Sequence, residues 1–410
     1  MMLLSPAIHL ISVLLPLIAI LSGMAMTPVL LILALLMLYA ASRKDWRGAP
    51  PSPPQSPAPL LIILLLLLAW PLLSSLWSIT PARSASTAGG VIVLCGLAAM
   101  ALMRQPLLPS PSDRIIRYYA LSIAAACLLI GLEALPHGGL IGAAIKGLGM
   151  DYERYINKNI NRGLCALTLL VWPAVLGLSS LNQRRVAWGL LLLVMLPLLL
   201  MQSLSAQLGL LCGILVFALL QLFPGVFPRL VAGATLLFLL CLPALFLTLD
   251  APFLSRPEIA RHLPETAQQR LIIWRFTMER VAEKPWRGWG MDTARAIPGG
   301  TDIVTIHGAN MARLPLHPHN STLQLLLEEG VIGFLLTLGG IGLVFRQWLR
   351  MPPMDKTCHA SAGALIVSFL ATGLSSFGIW QSWWIATLWA AVLIWRSFLQ
   401  KPLTRPQSSL

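Results

Sequence analysis

Charge is what this sequence has least of. Only 11% of its 410 residues are Asp, Glu, Lys or Arg, where a soluble globular domain carries about 25%. With 57% hydrophobic residues and a mean hydropathy of +0.78, the shortage excludes a disordered chain, a secreted disulfide scaffold and an ordinary cytosolic enzyme. Cysteine is sparse as well. There are six, none in CxxC spacing, and most sit in apolar runs, so they read as small buried hydrophobes rather than disulfides or zinc ligands. Acids number 15 against 29 basic residues, a net charge of +14. No run of five or six basic residues occurs and no soluble segment could carry one, so nucleic acid is excluded as a partner. The N-terminal MMLLSPAIHL has neither the positive n-region nor the small-residue cleavage site of a signal peptide, and reads as a retained first span.

What remains is an all-α, polytopic integral membrane protein. Apolar runs predict spans near 7–24, 27–41, 60–77, 89–103, 118–135, 163–180, 187–202, 207–222, 230–249, 321–344, 358–376 and 383–396, about twelve helices. The runs are continuous rather than alternating, which excludes a β-barrel. With the N-terminus in the cytoplasm, every even-numbered connection carries basic residues: Arg43, Lys44 and Arg47; Arg104, Arg114 and Arg117; Arg184 and Arg185; Arg229; Arg346, Arg350 and Lys356. The tail adds Arg396, Lys401 and Arg405. This pattern satisfies the positive-inside rule with both termini cytoplasmic. The Pro-rich stretch 49–59 reads as a stiff extended linker. Three regions follow: nine spans over 1–249, a large outer loop over 250–320, and three spans with a short tail over 321–410.

The outer loops carry cations that topology does not ask for. Residues 250–320 hold Arg256, Arg261, Arg270, Arg275, Arg280, Lys284, Arg287, Arg295 and Arg313, and residues 136–162 hold Lys146, Arg154, Lys158 and Arg162. That is 13 of the 29 basic residues, on the face where the rule disfavours them. An anionic ligand is the simplest functional reading; the seven acids of the long loop allow plain surface solvation instead. Within the spans ionisable groups are few, Glu133 among them near a helix end, which argues against an ion-coupled transporter. Residues 265–282 predict a helix between Pro264 and Pro285, with Leu271, Trp274, Met278 and Val281 as one apolar stripe and Arg275 pointing elsewhere. KPWRGWG (284–290) then makes a tight turn at Gly288 and Gly290, its Trp286 and Trp289 suited to an interfacial belt. His317, Pro318, His319 and Asn320 mark re-entry into the membrane, where Asn320 or Ser321 can cap the next helix. His317 and His319 with His307 lack an Asp or Cys at ligand spacing, so no metal site is expected.

His319-Asn320, nine residues, Gly330, two residues and Gly333 resemble the H-N-x9-G-x-x-G signature of the O-antigen ligase/polymerase superfamily, and Glu329 fits the same pattern. LWSITPARS (76–84) is similar to the family's W-S-x-x-P segment. Asn161-Arg162-Gly163 is similar to its N-R stretch, and Arg270…Trp274 followed by KPWRGWG to its R-x-x-x-W…P-x-x-G-x-G segment. One departure is SLSAQLG (203–209), where Gln207 stands in place of a Ser-Arg pair.

The resemblance implies a membrane glycosyltransferase in the bacterial inner membrane. Its donor is an undecaprenyl-pyrophosphate-linked glycan (O-antigen), and its acceptor is a lipid A-core in a ligase or another carrier-linked glycan in a polymerase. The motifs do not separate these two. Neither metal nor any other cofactor is implied. Arg270, Arg162 and Arg83 are the implied pyrophosphate contacts, since guanidinium matches phosphate oxygens bidentately. His319 is the implied general base, with Asn320 orienting it or the acceptor. Direct attack by the acceptor hydroxyl inverts the anomeric centre, and no carboxylate stands out as a covalent nucleophile. A twelve-span transporter or flippase shares the composition, but it would show internal repeats and polar groups at mid-membrane.

Overall fold

The computed structural model describes residues 4–43, 58–105, 108, 110–134, 139–147, 149, 159–248, 265–306, 309–351 and 356–399. The Pro-rich stretch 49–59 falls almost wholly outside them, as do Lys44, Arg47, Arg154, Lys158, Arg256, Arg261, His307, Lys401 and Arg405.

Each of the twelve expected spans meets a helix. In chain order these are α1 (Leu4–Leu21), α2 (Met26–Ser42), α3 (Ala58–Ser74), α4 (Pro81–Arg104) and α5 (Asp113–Glu133). A short α6 (Leu140–Gly147) precedes α7 (Asn161–Ser180), α8 (Arg184–Leu200), α9 (Leu204–Leu222) and α10 (Phe227–Thr248). The loop helix is α11 (Glu265–Glu283), followed by α12 (Ser321–Leu349), α13 (Lys356–Gly373) and α14 (Ser382–Leu399). Eight are long and apolar enough to cross a membrane by length and composition. The protein is thus an all-α multi-pass membrane protein. One small exception to helix is an antiparallel hairpin, β1 (Ile303–Ile306) with β2 (Ala309–Ala312), in the long loop.

Helix α7 is the axis of the bundle. Residues 163–180 are all buried, as a helix apolar on every side must be. It packs on α14, α8, α13, α1 and α5. Around the perimeter large apolar side chains face outward, among them Leu65, Leu128, Leu192 and Leu237. An exposed belt of this extent belongs against lipid rather than water. Glu133 serves the local backbone. Its carboxylate accepts the Ile141 and Gly142 amides, at 2.6 and 2.9 Å, and so starts α6.

Helix α12 is broken. Gly330 has φ 66 and ψ −172, outside helical space, so backbone groups on either side lose their helical partners. The turn at 284–290 supplies replacements. Trp289 and Gly290 donate their amides to Leu327 and Glu328 carbonyls (2.9 and 2.8 Å), while Val331 donates to Pro285 O at 2.8 Å. A side chain at Gly330 would overlap the Trp286 carbonyl, and one at Gly288 the Glu328 carbonyl.

Gly330→Ala therefore meets both a disallowed φ and a backbone collision. A loss of about 2 kcal/mol or more is expected, read as a lowered midpoint of thermal unfolding in detergent. Gly339→Ala, nine residues on in the same helix and with nothing near its Cβ position, should be neutral or gain up to about 1 kcal/mol. Equal behaviour of the two variants would refute this account of the break.

Candidate active site

The sequence motifs meet at one end of the bundle, and they meet through the 284–290 turn. Trp77 of the W-S-x-x-P segment donates Nε1–H to Arg287 O at 3.1 Å. Ile79 donates its amide to Trp289 O at 3.2 Å. Ser84 Oγ donates to Met291 O at 2.5 Å. Gly290, at φ 100, lies against Ser78 where no side chain would fit. Pro81 opens α4, the first-turn position where its missing N–H costs nothing. Gly333 makes room for Trp70, whose Nε1–H reaches Glu329 O at 3.0 Å.

His319 stands at the entrance to α12. Its φ of 54 is left-handed, a strained conformation for a non-glycine residue that is typical of functional positions. The ring contacts Ser376 O through Nδ1 at 2.9 Å. A carbonyl only accepts, so Nδ1 carries the proton and Nε2 is left with its lone pair. His319 is half-buried between the buried residues Pro318 and Asn320. Burial, opposed by the Ser376 contact and reinforced by the nearby Arg270 cation, holds its pKa below 6.5. The ring is therefore neutral at pH 7. The His317 ring lies 4.3 Å away, centroid to centroid. Burial first, then His319 and Arg295, push His317 down to about 3.

Of the two capping candidates, Asn320 is the one used. It is the N-cap of α12, with Oδ1 accepting the Leu323 amide at 3.0 Å. Its Nδ2 donates to Leu374 O at 3.0 Å. Both ends of the amide thus anchor the backbone on which His319 sits.

The arginines divide. Trp274 donates Nε1–H to Pro318 O at 2.9 Å, which fixes α11 beside the histidines and brings Arg270, one turn earlier, close to His319. Arg270 is half-buried, and burial lowers its pKa. No hydrogen bond or ion pair ties it to any of the described residues. Arg162 is also half-buried. It contacts Asn159 Oδ1 at 3.4 Å and lies over the Trp383 ring at 5.9 Å. Trp383 in turn donates to Gln381, which approaches His317 at 3.5 Å. Arg270 is thus the cation beside His319, and Arg162 is linked to His317 only indirectly, through Trp383 and Gln381. Arg83 does not join them. Its Nε pairs with Asp292 at 3.0 Å, which also accepts from Thr87 and lies 3.7 Å from Arg295. Through Nε, Arg83 fastens α4 to the long loop.

Two further expectations need correction. The most buried face of α11 is Ile273, Phe276, Thr277 and Val281, with Trp274 and Met278 packing on a second cluster around Phe246 and Leu323. The helix is clasped on two sides, so a single stripe misplaced its core. Trp286 is exposed, as an interfacial residue is, but Trp289 is buried and donates to Arg280 O at 2.9 Å. Gln207 donates through Nε2 to Leu198 O at 2.8 Å, joining α9 to α8.

Sequence reasoning missed the α13–α14 connection, residues 374–381. It supplies Ser376 O to His319 and Leu374 O to Asn320. Ser205 Oγ donates to Ser375 O at 2.8 Å, so the SLS segment braces it. The only available signal was a polar, aromatic stretch, SSFGIWQ, between two apolar runs.

Residues 188–338 match the O-antigen ligase family. Relatives from Rickettsia felis, Rickettsia conorii and Rickettsia prowazekii, each provisionally named a polysaccharide ligase, are 29% identical to this chain. The similarity covers 82% of this chain in each case and 79%, 78% and 79% of the three relatives.

The His319 environment makes a signed prediction. In a pH titration of ¹⁵N-histidine-labelled protein, His319 should gain its proton below 6.5. Arg270→Gln removes a neighbouring cation and should move that midpoint upward. A wild-type midpoint at or above the ordinary value, or no movement in the variant, would overturn the proximity argued here.

Proposed function

From the match of residues 188–338 to the O-antigen ligase family and the similarity of the chain to proteins named as polysaccharide ligases, we propose that it moves a glycan from undecaprenyl-pyrophosphate to the lipid A-core of lipopolysaccharide. The observation that carries the reading is the His319 ring. Its Nδ1 proton is fixed on Ser376 O, its Nε2 is free to accept, and Arg270 lies beside it.

The step needs a base and an anion site. The acceptor hydroxyl oxygen attacks the anomeric carbon as its proton passes to Nε2 of His319. The bond from that carbon to the pyrophosphate oxygen breaks, and undecaprenyl pyrophosphate leaves from the opposite face, so the centre inverts. Charge grows on the leaving oxygens as the bond opens. Arg270 and Arg162, both half-buried, are the guanidinium groups suited to receive it. Their partial burial raises the value of each contact over one made in water. No metal or other cofactor enters the scheme. Asn320 and Arg83 serve the scaffold.

The same reading fixes orientation. Arg104, Arg114, Arg117, Arg184, Arg185, Arg229, Arg346 and Arg350 all lie in or beside connections at the end away from His319. The positive-inside rule assigns that end to the cytoplasm. The site then faces the periplasm of an inner-membrane protein with twelve spans and both termini inside, and residues 250–320 form its large periplasmic loop.

The test is reconstitution in nanodiscs with an undecaprenyl-pyrophosphate glycan and a lipid A-core acceptor. Glycan-bearing lipid A should appear by gel shift. His319→Ala should lower kcat by about 10²–10⁴-fold, and Arg270→Ala by about 10²–10³-fold, with both variants still folded. Longer glycans on the carrier and none on lipid A would replace the ligase with a polymerase. No product of either kind would sink both.

A further inference from the structure

Glu328 lies inside α12 with no exposed surface, and the mechanism above does not use it. Its carboxylate gathers three donors from three parts of the chain. Oε1 accepts the Ala294 amide from the long loop at 2.9 Å. Oε2 accepts Trp380 Nε1–H at 2.5 Å and Gln324 Nε2 at 3.2 Å. Gln324 Oε1 accepts the Ile379 amide at 3.0 Å. The 374–381 connection is therefore lashed to α12 at two levels. At the entrance His319 and Asn320 hold Ser376 and Leu374; deeper in the helix Gln324 and Glu328 hold Ile379 and Trp380.

We propose that Glu328 is a positioning residue for His319: it clamps the α13–α14 connection so that Ser376 O stays opposite Nδ1 and keeps Nε2 the bare nitrogen. The inference rests on His319 acting as the base, but its structural half can be read without activity. A carboxyl group suits this place because both of its oxygens can accept. An amide in its stead would turn an NH2 toward one of three donors and break part of the clamp. Without the clamp Ser376 is tethered less firmly, the imidazole samples both tautomers, and the fraction with Nε2 free falls.

The experiment compares Glu328→Gln with Trp380→Phe, which removes the indole donor while keeping an aromatic ring. The ¹⁵N shifts of histidine-labelled protein in nanodiscs, assigned with His319→Gln, report which ring nitrogen carries the proton. Wild type should show the Nδ1–H form alone, and both variants a mixture. In the transfer assay both should lower kcat by about 10- to 100-fold, a part of what a general base supplies, with KM within about twofold. If Glu328→Gln does not fold, Trp380→Phe decides. Pure Nδ1–H tautomer with wild-type kcat in a folded variant overturns the proposal. An altered tautomer in a protein whose wild type transfers nothing supports the clamp and removes the transferase reading instead.

Discussion

The contact on which the site depends is the docking of the 284–290 turn onto the broken backbone of α12. A helix interrupted at Gly330 leaves amides and carbonyls without partners, and in apolar surroundings each such group costs on the order of 1–3 kcal/mol. The turn answers these groups with its own backbone, which requires close approach and therefore glycine on both sides of the seam, at Gly288 and Gly330. Once the turn is fixed there, Trp77, Ile79 and Ser84 have a surface to bond to, and α11, which leads into the turn, is held so that Trp274 reaches Pro318. The glycines of the signature thus act at a distance from the chemistry, by determining which loops can sit beside His319.

Much of this was legible in the sequence because its periodicities are those of lipid-embedded helices. All twelve expected spans coincide with helices, and the loop helix at 265–283 begins at the predicted residue. Proline punctuation and apolar runs are local signals, and local signals survive without tertiary context. What was not legible is pairwise. Nothing about Arg83 in isolation distinguishes a ligand-binding arginine from one that pairs with Asp292, a residue 209 positions away. Asn320 beside a histidine has the look of a catalytic partner, yet its first duty is the one asparagine serves at helix starts generally. The 374–381 connection meets His319 and Asn320 through backbone carbonyls, which any sequence can supply, so the polar, aromatic stretch SSFGIWQ gave no hint of which residues it would touch.

The excess of external cations also reads differently once partners are assigned. Arg275 pairs with Glu279, Arg280 with Glu283, and Arg83 and Arg295 both approach Asp292. Several cations in the count therefore balance neighbouring acids, as surface charges ordinarily do. Arg270 stands apart from them. A half-buried guanidinium without a hydrogen bond or ion pair to the described residues gives up hydration without an exchange among them. Burial depresses its pKa accordingly. The fold nevertheless fixes it, since Trp274 locks its helix onto Pro318 one turn away. A cost carried at a rigid position beside a neutral histidine makes physical sense when an anion completes the arrangement during turnover: the desolvated charge is then a preorganised receptor whose attraction for developing negative charge is larger than the same group would offer in water.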